Sequence, residues 1–151
     1  MANLKYTIRE LREEDLNPEK GFLKTLSNLS KTNNLSLKKM KEIFKEVKEK
    51  ENSCIFVAIS GDGKIIGSIK LIIERKFSHG GKRAGHIEDV VTRKGFENMG
   101  IASSLIKKTL EQARKRGCYK VILDSREELI SFYKKFKFYK FENCLRIDFN
   151  K

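Results

Sequence analysis

Apolar residues recur along the first half of the chain with two different spacings, and each spacing predicts a different element. Alternation over residues 5–11 predicts a short first strand. Helical spacing predicts two helices, one over about 18–30 and one that begins after Ser36. The β-rich runs 54–60 and 65–77 flank the turn GDGK, so they predict a hairpin of two long strands.

The second half of the chain continues with the same two periods. HIEDVV predicts a strand, and an amphipathic stretch predicts a helix from about Gly100 to Arg116 that stops at Gly117. The remaining predicted elements are a strand, a short helix and one or two closing strands: CYKVILDS, REELISFYKKF and FYKFENCLRIDF.

The predicted order is β, α, α, β, β, β, α, β, α, β, without a repeat, a linker or a low-complexity segment. At 151 residues the chain has the size of one domain with a substantial core. We therefore expect a single α/β domain over residues 1–151.

The net charge of +13 predicts attraction to anions, which include nucleic acids, acidic membranes and phosphorylated small molecules. The 24 Lys and 9 Arg are dispersed over all predicted helices, whereas base reading relies on forked Arg contacts and stacking aromatics. This distribution favours a solvated, lysine-rich surface over a nucleic-acid partner. No apolar run approaches the roughly 18 residues of a membrane span, and the N-terminus has no signal core, so a cytoplasmic protein without a membrane partner is expected.

The cysteines Cys54, Cys118 and Cys144 are odd in number and widely spaced. They form no CxxC pair and have no histidine at a spacing suited to zinc, so reduced and mostly packed thiols are expected. Cys118 beside a predicted strand remains an alternative nucleophile, although no partner base is visible.

A glycine-bearing turn leads into the helix that begins at Gly100. Such a turn exposes backbone N–H groups at the positive end of the helix dipole, where a pyrophosphate could bind. Gly95 and Gly100 match neither a P-loop nor a GxGxxG fingerprint, because Asn98 and Ala102 stand at the wrong positions. From spacing alone, an ordinary strand-to-helix connection remains the alternative.

Carboxylates near predicted strand ends are the other candidates for chemistry. Glu88 and Asp89 are adjacent on a strand, so they should point to opposite faces and cannot act as a paired acid and base. Asp124 at a strand end and Tyr133 on the next helix are better placed for a site. The alternatives are a helix-capping role for Asp124 and a core ring for Tyr133.

Five segments spread over almost the whole chain occur together in one order. They are LSNL near residue 27, LIIERKFSH, GHIEDVV, GCYKVILD and FYKKFKF. In these segments the sequence resembles the GNAT superfamily of acyl-CoA-dependent N-acetyltransferases, and most closely its eukaryotic-type glucosamine 6-phosphate N-acetyltransferases. The resemblance implies the GNAT fold, a central mixed, mostly antiparallel sheet flanked by helices.

The resemblance also implies the reaction. The amine of glucosamine 6-phosphate would attack the thioester of acetyl-CoA in a ternary complex, which would give N-acetylglucosamine 6-phosphate for UDP-N-acetylglucosamine synthesis without a covalent intermediate or a metal. A homodimer with shared active sites is implied as well. The alternatives are a GNAT enzyme for another amine, such as a peptide N-terminus, a polyamine or an aminoglycoside, and a non-catalytic module that binds polyanions.

The family's site residues map onto this sequence by motif. Asp124 would orient or deprotonate the sugar amine from the partner subunit, Tyr133 would protonate or hydrogen-bond the leaving thiolate, and Glu88 would hold the sugar at the catalytic centre. The other substrate positions implied are Ser27, Lys76, His79, Asp89, Val90, Ser125 and Arg146. The cofactor positions implied, besides Tyr133, are Val90 and Val91, whose N–H groups would face the thioester, and Arg93, Lys94, Asn98, Met99, Gly100, Ile101, Ala102 and Ser103.

Four residues depart from the family's pattern. Glu97 and Asn98 stand where the pyrophosphate loop usually has Gln or Arg and then Gly, and a carboxylate there should weaken binding of an anion. Leu129 replaces a usual Asn, and Lys137 a usual Gly. Arg93 and Lys94 are expected to compensate for Glu97 at the phosphates.

Overall fold

The computed structural model describes residues 3–149 and contains one five-stranded sheet. Its strands lie in chain order, and all neighbours are antiparallel except the last pair, which is parallel. The strands are β1 (Tyr6–Glu10), β2 (Ser53–Ser60), β3 (Ile65–Arg75), β4 (Arg83–Thr92) and β5 (Cys118–Leu123).

Helices lie between β1 and β2, between β3 and β4, and after β4. They are α1 (Phe22–Leu26), α2 (Leu37–Glu49), the single turn α3 (Ser78–Gly81), α4 (Ile101–Lys115) and α5 (Ile130–Lys134), with 3₁₀ turns at Glu13–Leu16, Pro18–Lys20 and Glu127–Leu129. Among the described residues, no helix is long and apolar enough to cross a membrane.

The long helix α4 packs on the middle of the sheet. Ile101, Leu105 and Ile106 are buried against β3, as the amphipathic pattern predicts. Close approach depends on Gly67 of β3, because a Cβ at that position would lie 2.6 Å from Cγ2 of Ile101. This contact fixes the N-terminus of α4 over the centre of the sheet, where it can contribute to a site.

Three sequence predictions are corrected by the structure. The first helix is short and ends at Leu26 instead of Ser30, because residues 27–29 form a turn. The strand predicted from His86 already begins at Arg83. The predicted closing strands over 138–149 are absent, although apolar residues do alternate there. Strands form only beside a partner, and no described segment pairs with the outer edge of β5.

Candidate active site

The strands β4 and β5 part before β4 ends. Their parallel pairing stops at Ile87 and Leu123, while β4 continues to Thr92 and the chain after β5 turns away into α5. Beyond Ile87, no described residue pairs with this edge of β4. A cavity of about 770 Å³ lies beside the separated strands, between β4, the N-terminus of α4 and α5.

A β-bulge shapes the part of β4 that borders this cavity. Ser68 pairs with Val91 and Lys70 with Glu88, so Asp89 and Val90 together oppose a single residue of β3. Asp89 has a φ of 53°, in the left-handed region that non-glycine residues rarely adopt. The regular alternation of side chains along β4 therefore ends at Asp89. Our expectation that Glu88 and Asp89 point to opposite faces depended on that alternation.

The loop between β4 and α4 forms the second wall. Asn98 and Gly100 both have left-handed backbone, with φ values of 60° and 80°. Asn tolerates this conformation better than other non-glycine residues do, so its presence here is compatible with the loop. Gly100 caps α4 without a side-chain hydrogen bond, and the first residues of the helix line the cavity. The positive end of the helix dipole therefore faces the cavity.

One carboxylate already interacts with a backbone donor of this loop. The N–H of Gly95 donates a hydrogen bond of 2.7 Å to Oε2 of Glu97, and Glu97 lines the cavity. A negative side chain thus lies beside the N-terminus of α4, where an anion would be stabilised.

The two basic residues at the end of β4 have different positions. The guanidinium of Arg93 donates to Oγ1 of Thr25 (3.0 Å) and to the carbonyl of Gly21 (2.9 Å), so it anchors β4 to α1. A Cβ at Gly21 would lie 1.8 Å from that guanidinium, which explains the glycine. Arg93 is not among the residues that line the cavity, whereas Lys94 is.

The opposite wall carries Tyr133, which is 8% exposed. The ring packs edge-on against Phe132 and Phe138. Burial raises the pKa of the Tyr133 phenol, so the hydroxyl stays protonated at neutral pH and can donate a proton or a hydrogen bond.

Three further polar residues meet at the point where β4 and β5 separate. Nε2 of His86 lies 3.3 Å from Oε1 of Glu88 and 3.5 Å from Oδ2 of Asp124. The register explains this cluster, because Glu88 and Asp124 directly follow the last pair, Ile87 and Leu123. Glu88 and Asp124 therefore come together within one chain, whereas the resemblance implied that Asp124 would reach the site from a partner subunit.

Other predicted substrate residues lie elsewhere. The loop with Lys76 and His79 adjoins Arg83 at the start of β4, about 16 Å along the strand from Glu88. In that loop Lys76 pairs with Glu74 (2.8 Å), and His79 stacks on Tyr119 with ring centroids 4.3 Å apart. The remaining predicted substrate residues outside the cavity lining are Ser27, Asp89, Ser125 and Arg146.

The cavity contains most of the predicted cofactor residues and several that the sequence did not reveal. The predicted residues that line it are Val90, Val91, Lys94, Asn98, Gly100, Ile101, Ala102, Ser103 and Tyr133, while Arg93 and Met99 do not. The additional lining residues are Asn28, Leu29, Thr92, Phe96, Phe132 and Lys135, besides Glu97 and Leu129. Four of these residues lie in segments that carry the resemblance, Asn28 and Leu29 in LSNL and Phe132 and Lys135 in FYKKFKF.

In this sheet the parallel pair β4–β5 separates beside the N-terminus of α4. This arrangement defines an acyltransferase-like α/β fold. The model of the Acetyltransferase (GNAT) family matches residues 20–138. The chain therefore belongs to the GNAT acetyltransferase family, and both the resemblance and the fold predicted from the sequence are confirmed.

Within this family, the chain is similar to individual proteins that are named as one kind of enzyme. The chain is 45% identical over 86 residues to glucosamine 6-phosphate N-acetyltransferase of Trypanosoma brucei brucei, which covers 57% of this chain and 58% of that protein. It is 35% identical to probable glucosamine 6-phosphate N-acetyltransferase 2 of Oryza sativa subsp. japonica over 85% of this chain and 78% of that protein. The crystal structure of glucosamine-6-phosphate N-acetyltransferase from Arabidopsis thaliana superposes with a TM-score of 0.92 at 29% identity, covering 97% of this chain and 99% of that one.

Proposed function

We propose that this protein transfers the acetyl group of acetyl-CoA to the amine of glucosamine 6-phosphate. The observation that carries the proposal is the location of the candidate base and the candidate acid relative to the separated strands. Asp124 lies where β4 and β5 separate, and Tyr133 lines the cavity beside that separation. Two relatives, 45% and 35% identical to this chain, are named as glucosamine 6-phosphate N-acetyltransferases, and their names support this amino sugar phosphate as the acceptor.

Acetyl-CoA fits the cavity by the chemistry of its walls. The pyrophosphate would bind the N-terminus of α4 from Gly100 to Ser103, because backbone N–H groups and the helix dipole favour an anion there. The pantetheine arm would follow the unpaired edge of β4 toward Val90. A backbone N–H of that edge would then stabilise the oxyanion that develops on the thioester carbonyl, an effect of about 3 kcal/mol per donor in other enzymes.

The transfer needs one proton acceptor and one proton donor. A primary ammonium must lose a proton before its nitrogen can attack, and the carboxylate of Asp124 would accept that proton directly or through a water. The nitrogen then bonds to the thioester carbon, the C–S bond breaks, and Tyr133 would protonate the departing thiolate. The nitrogen, which is positively charged after its attack, releases a second proton, and this proton restores the Tyr133 phenol. Glu88 beside Asp124 would hold the sugar.

We also propose that the protein acts as a homodimer. Large apolar side chains of the C-terminal segment are exposed: Tyr139, Phe141, Leu145, Ile147 and Phe149. Since the outer edge of β5 has no described partner, a second copy could cover both features. In such a dimer the loop with Lys76 and His79 would approach the active site of the partner. This arrangement explains why the loop lies far from Glu88 of the same chain.

Complementation tests the shared site. Co-expression of a Lys76→Ala, His79→Ala double variant with Asp124→Asn should restore activity, because half of the random dimers are mixed and each mixed dimer retains one intact site of two. The expected recovery is about a quarter of the wild-type activity. Asp124→Asn with Tyr133→Phe should not complement, since both residues belong to one chain's site. No recovery in the first mixture would contradict the shared site.

Glu97 is expected to weaken binding of acetyl-CoA. Glu97→Gln removes a negative charge beside the pyrophosphate and leaves an acceptor for the N–H of Gly95, so the Kd for acetyl-CoA should fall about twofold to fivefold at low ionic strength. Isothermal titration calorimetry measures this change. Glu111→Gln, in the C-terminal third of α4, is the control and should leave the Kd unchanged. An equal or higher Kd for Glu97→Gln would show that the carboxylate does not oppose binding.

Acceptor specificity tests the proposed function. Thiol release from acetyl-CoA is measured with glucosamine 6-phosphate, with glucosamine and with spermidine. The phosphorylated sugar should give a kcat/KM at least about tenfold higher than the others, since one well-placed charged hydrogen bond is worth about 1.5–3 kcal/mol. Equal values for all three amines would reject glucosamine 6-phosphate as the substrate.

A further inference from the structure

The cluster of His86, Glu88 and Asp124 has an arrangement that base catalysis alone does not explain. Nε2 of His86 is buried and has no hydrogen-bond partner, although two carboxylate oxygens lie within 3.5 Å of it. A buried ring nitrogen that makes no hydrogen bond is unfavourable. A cation bound between the three groups would give this nitrogen a partner.

The distances match those of a small divalent ion. One ligand atom from each residue lies within 4.8 Å of the others. Zinc bonds of about 2.0–2.2 Å to nitrogen and oxygen place tetrahedral ligands about 3.3–3.5 Å apart. The separations of 3.3 Å and 3.5 Å from Nε2 to the two carboxylates have this length before any side chain moves.

The backbone already brings the three groups together. His86 and Glu88 are two residues apart on β4 and therefore share a face, and the parallel register places Asp124 beside Glu88. Asp124 follows the last residue of a strand instead of lying on a long loop. Little conformational entropy would be lost when the ligands close on an ion.

We propose that His86, Glu88 and Asp124 form a binding site for one zinc-class divalent cation, and that an ion bound there inhibits acetyl transfer. An imidazole with two carboxylates suits zinc better than magnesium or calcium, which prefer oxygen ligands. Three protein ligands leave a fourth position open. The inhibition rests on the proposed function, because the ion would occupy the carboxylate that accepts the amine's proton.

Zinc binding is tested without substrates. Zinc chloride is titrated into the full-length protein in competition with a chromophoric chelator, and the wild type should bind one equivalent. His86→Ala should raise the Kd at least about tenfold. His79→Ala is the matched control, because His79 is the other of the chain's two histidines and stacks on Tyr119 away from the cluster. If His86→Ala is unstable, Asp124→Ala at the exposed end of the cluster should show the same loss.

Activity provides a second, separate measurement. Zinc should inhibit acetyl transfer by the wild type at the concentrations that fill the site, and EDTA should reverse the inhibition. Equal zinc affinity of wild type and His86→Ala would overturn the proposed site, whether or not the enzyme is active. Binding that needs His86 but leaves an active enzyme uninhibited would overturn the inhibitory role. Binding that needs His86 in a protein without acetyl transfer would support the site and reject the proposed function.

Discussion

Asp124→Asn is expected to lower kcat for glucosamine 6-phosphate about 10²–10⁴-fold. The amide keeps the size of the side chain but cannot accept a proton from the ammonium, and general-base catalysis contributes this factor in other enzymes. Steady-state thiol release with saturating acetyl-CoA measures the loss. The Kd for acetyl-CoA should change little, since Asp124 does not line the cavity that would hold it.

Two comparisons separate loss of a base from general damage. Asp62→Asn removes another exposed carboxylate, in the turn between β2 and β3, and should keep the wild-type rate. Asp124 is itself more than half exposed, so its replacement should leave the unfolding transition nearly unchanged. Full activity of a folded Asp124→Asn protein would remove Asp124 from the mechanism.

Tyr133→Phe is expected to lower kcat about 10²–10³-fold, within the range for loss of a general acid. The phenol is protonated at neutral pH because burial raises its pKa, so it can protonate a thiolate that would otherwise leave as an anion. The phenylalanine ring can retain the edge-on contacts with Phe132 and Phe138. Stability and the Kd for acetyl-CoA should therefore remain close to the wild-type values.

A matched variant makes this result specific. Tyr139→Phe removes only a hydroxyl and keeps the apolar ring that the proposed dimer would cover, so it should leave kcat unchanged. Single-turnover measurements separate the chemical step from product release, and the loss should lie in the chemical step. A Tyr133→Phe protein with the wild-type single-turnover rate would show that the thiolate needs no proton from this residue.

The parts of the fold that follow from local patterns were predictable. The β2–β3 hairpin lies where the apolar runs flank GDGK, and α4 begins one residue after Gly100 and buries the predicted stripe. The closing strands failed for a tertiary reason. The alternation in residues 138–149 satisfies the local requirement for a strand, but a strand also needs a neighbour, and nothing within residues 3–149 pairs with this segment.

The candidate site was only partly predictable, because its geometry depends on departures from regular structure. The bulge at Asp89 carries no glycine or other sequence signal, since HIEDVV reads as an uninterrupted strand. The contacts of Arg93 with Gly21 and Thr25 join residues about 70 positions apart. The approach of His86 to Asp124 likewise follows from the parallel register of β4 and β5, which periodicity does not specify.

The product of the reaction tests the central claim most directly. The protein is incubated with acetyl-CoA labelled with ¹³C in the acetyl group and with glucosamine 6-phosphate, and the products are followed by NMR. We predict that the label appears as an amide on the sugar nitrogen, with one free CoA thiol released for each amide formed. Label that remains on CoA, or that appears only as acetate, would contradict acetyl transfer to this amine.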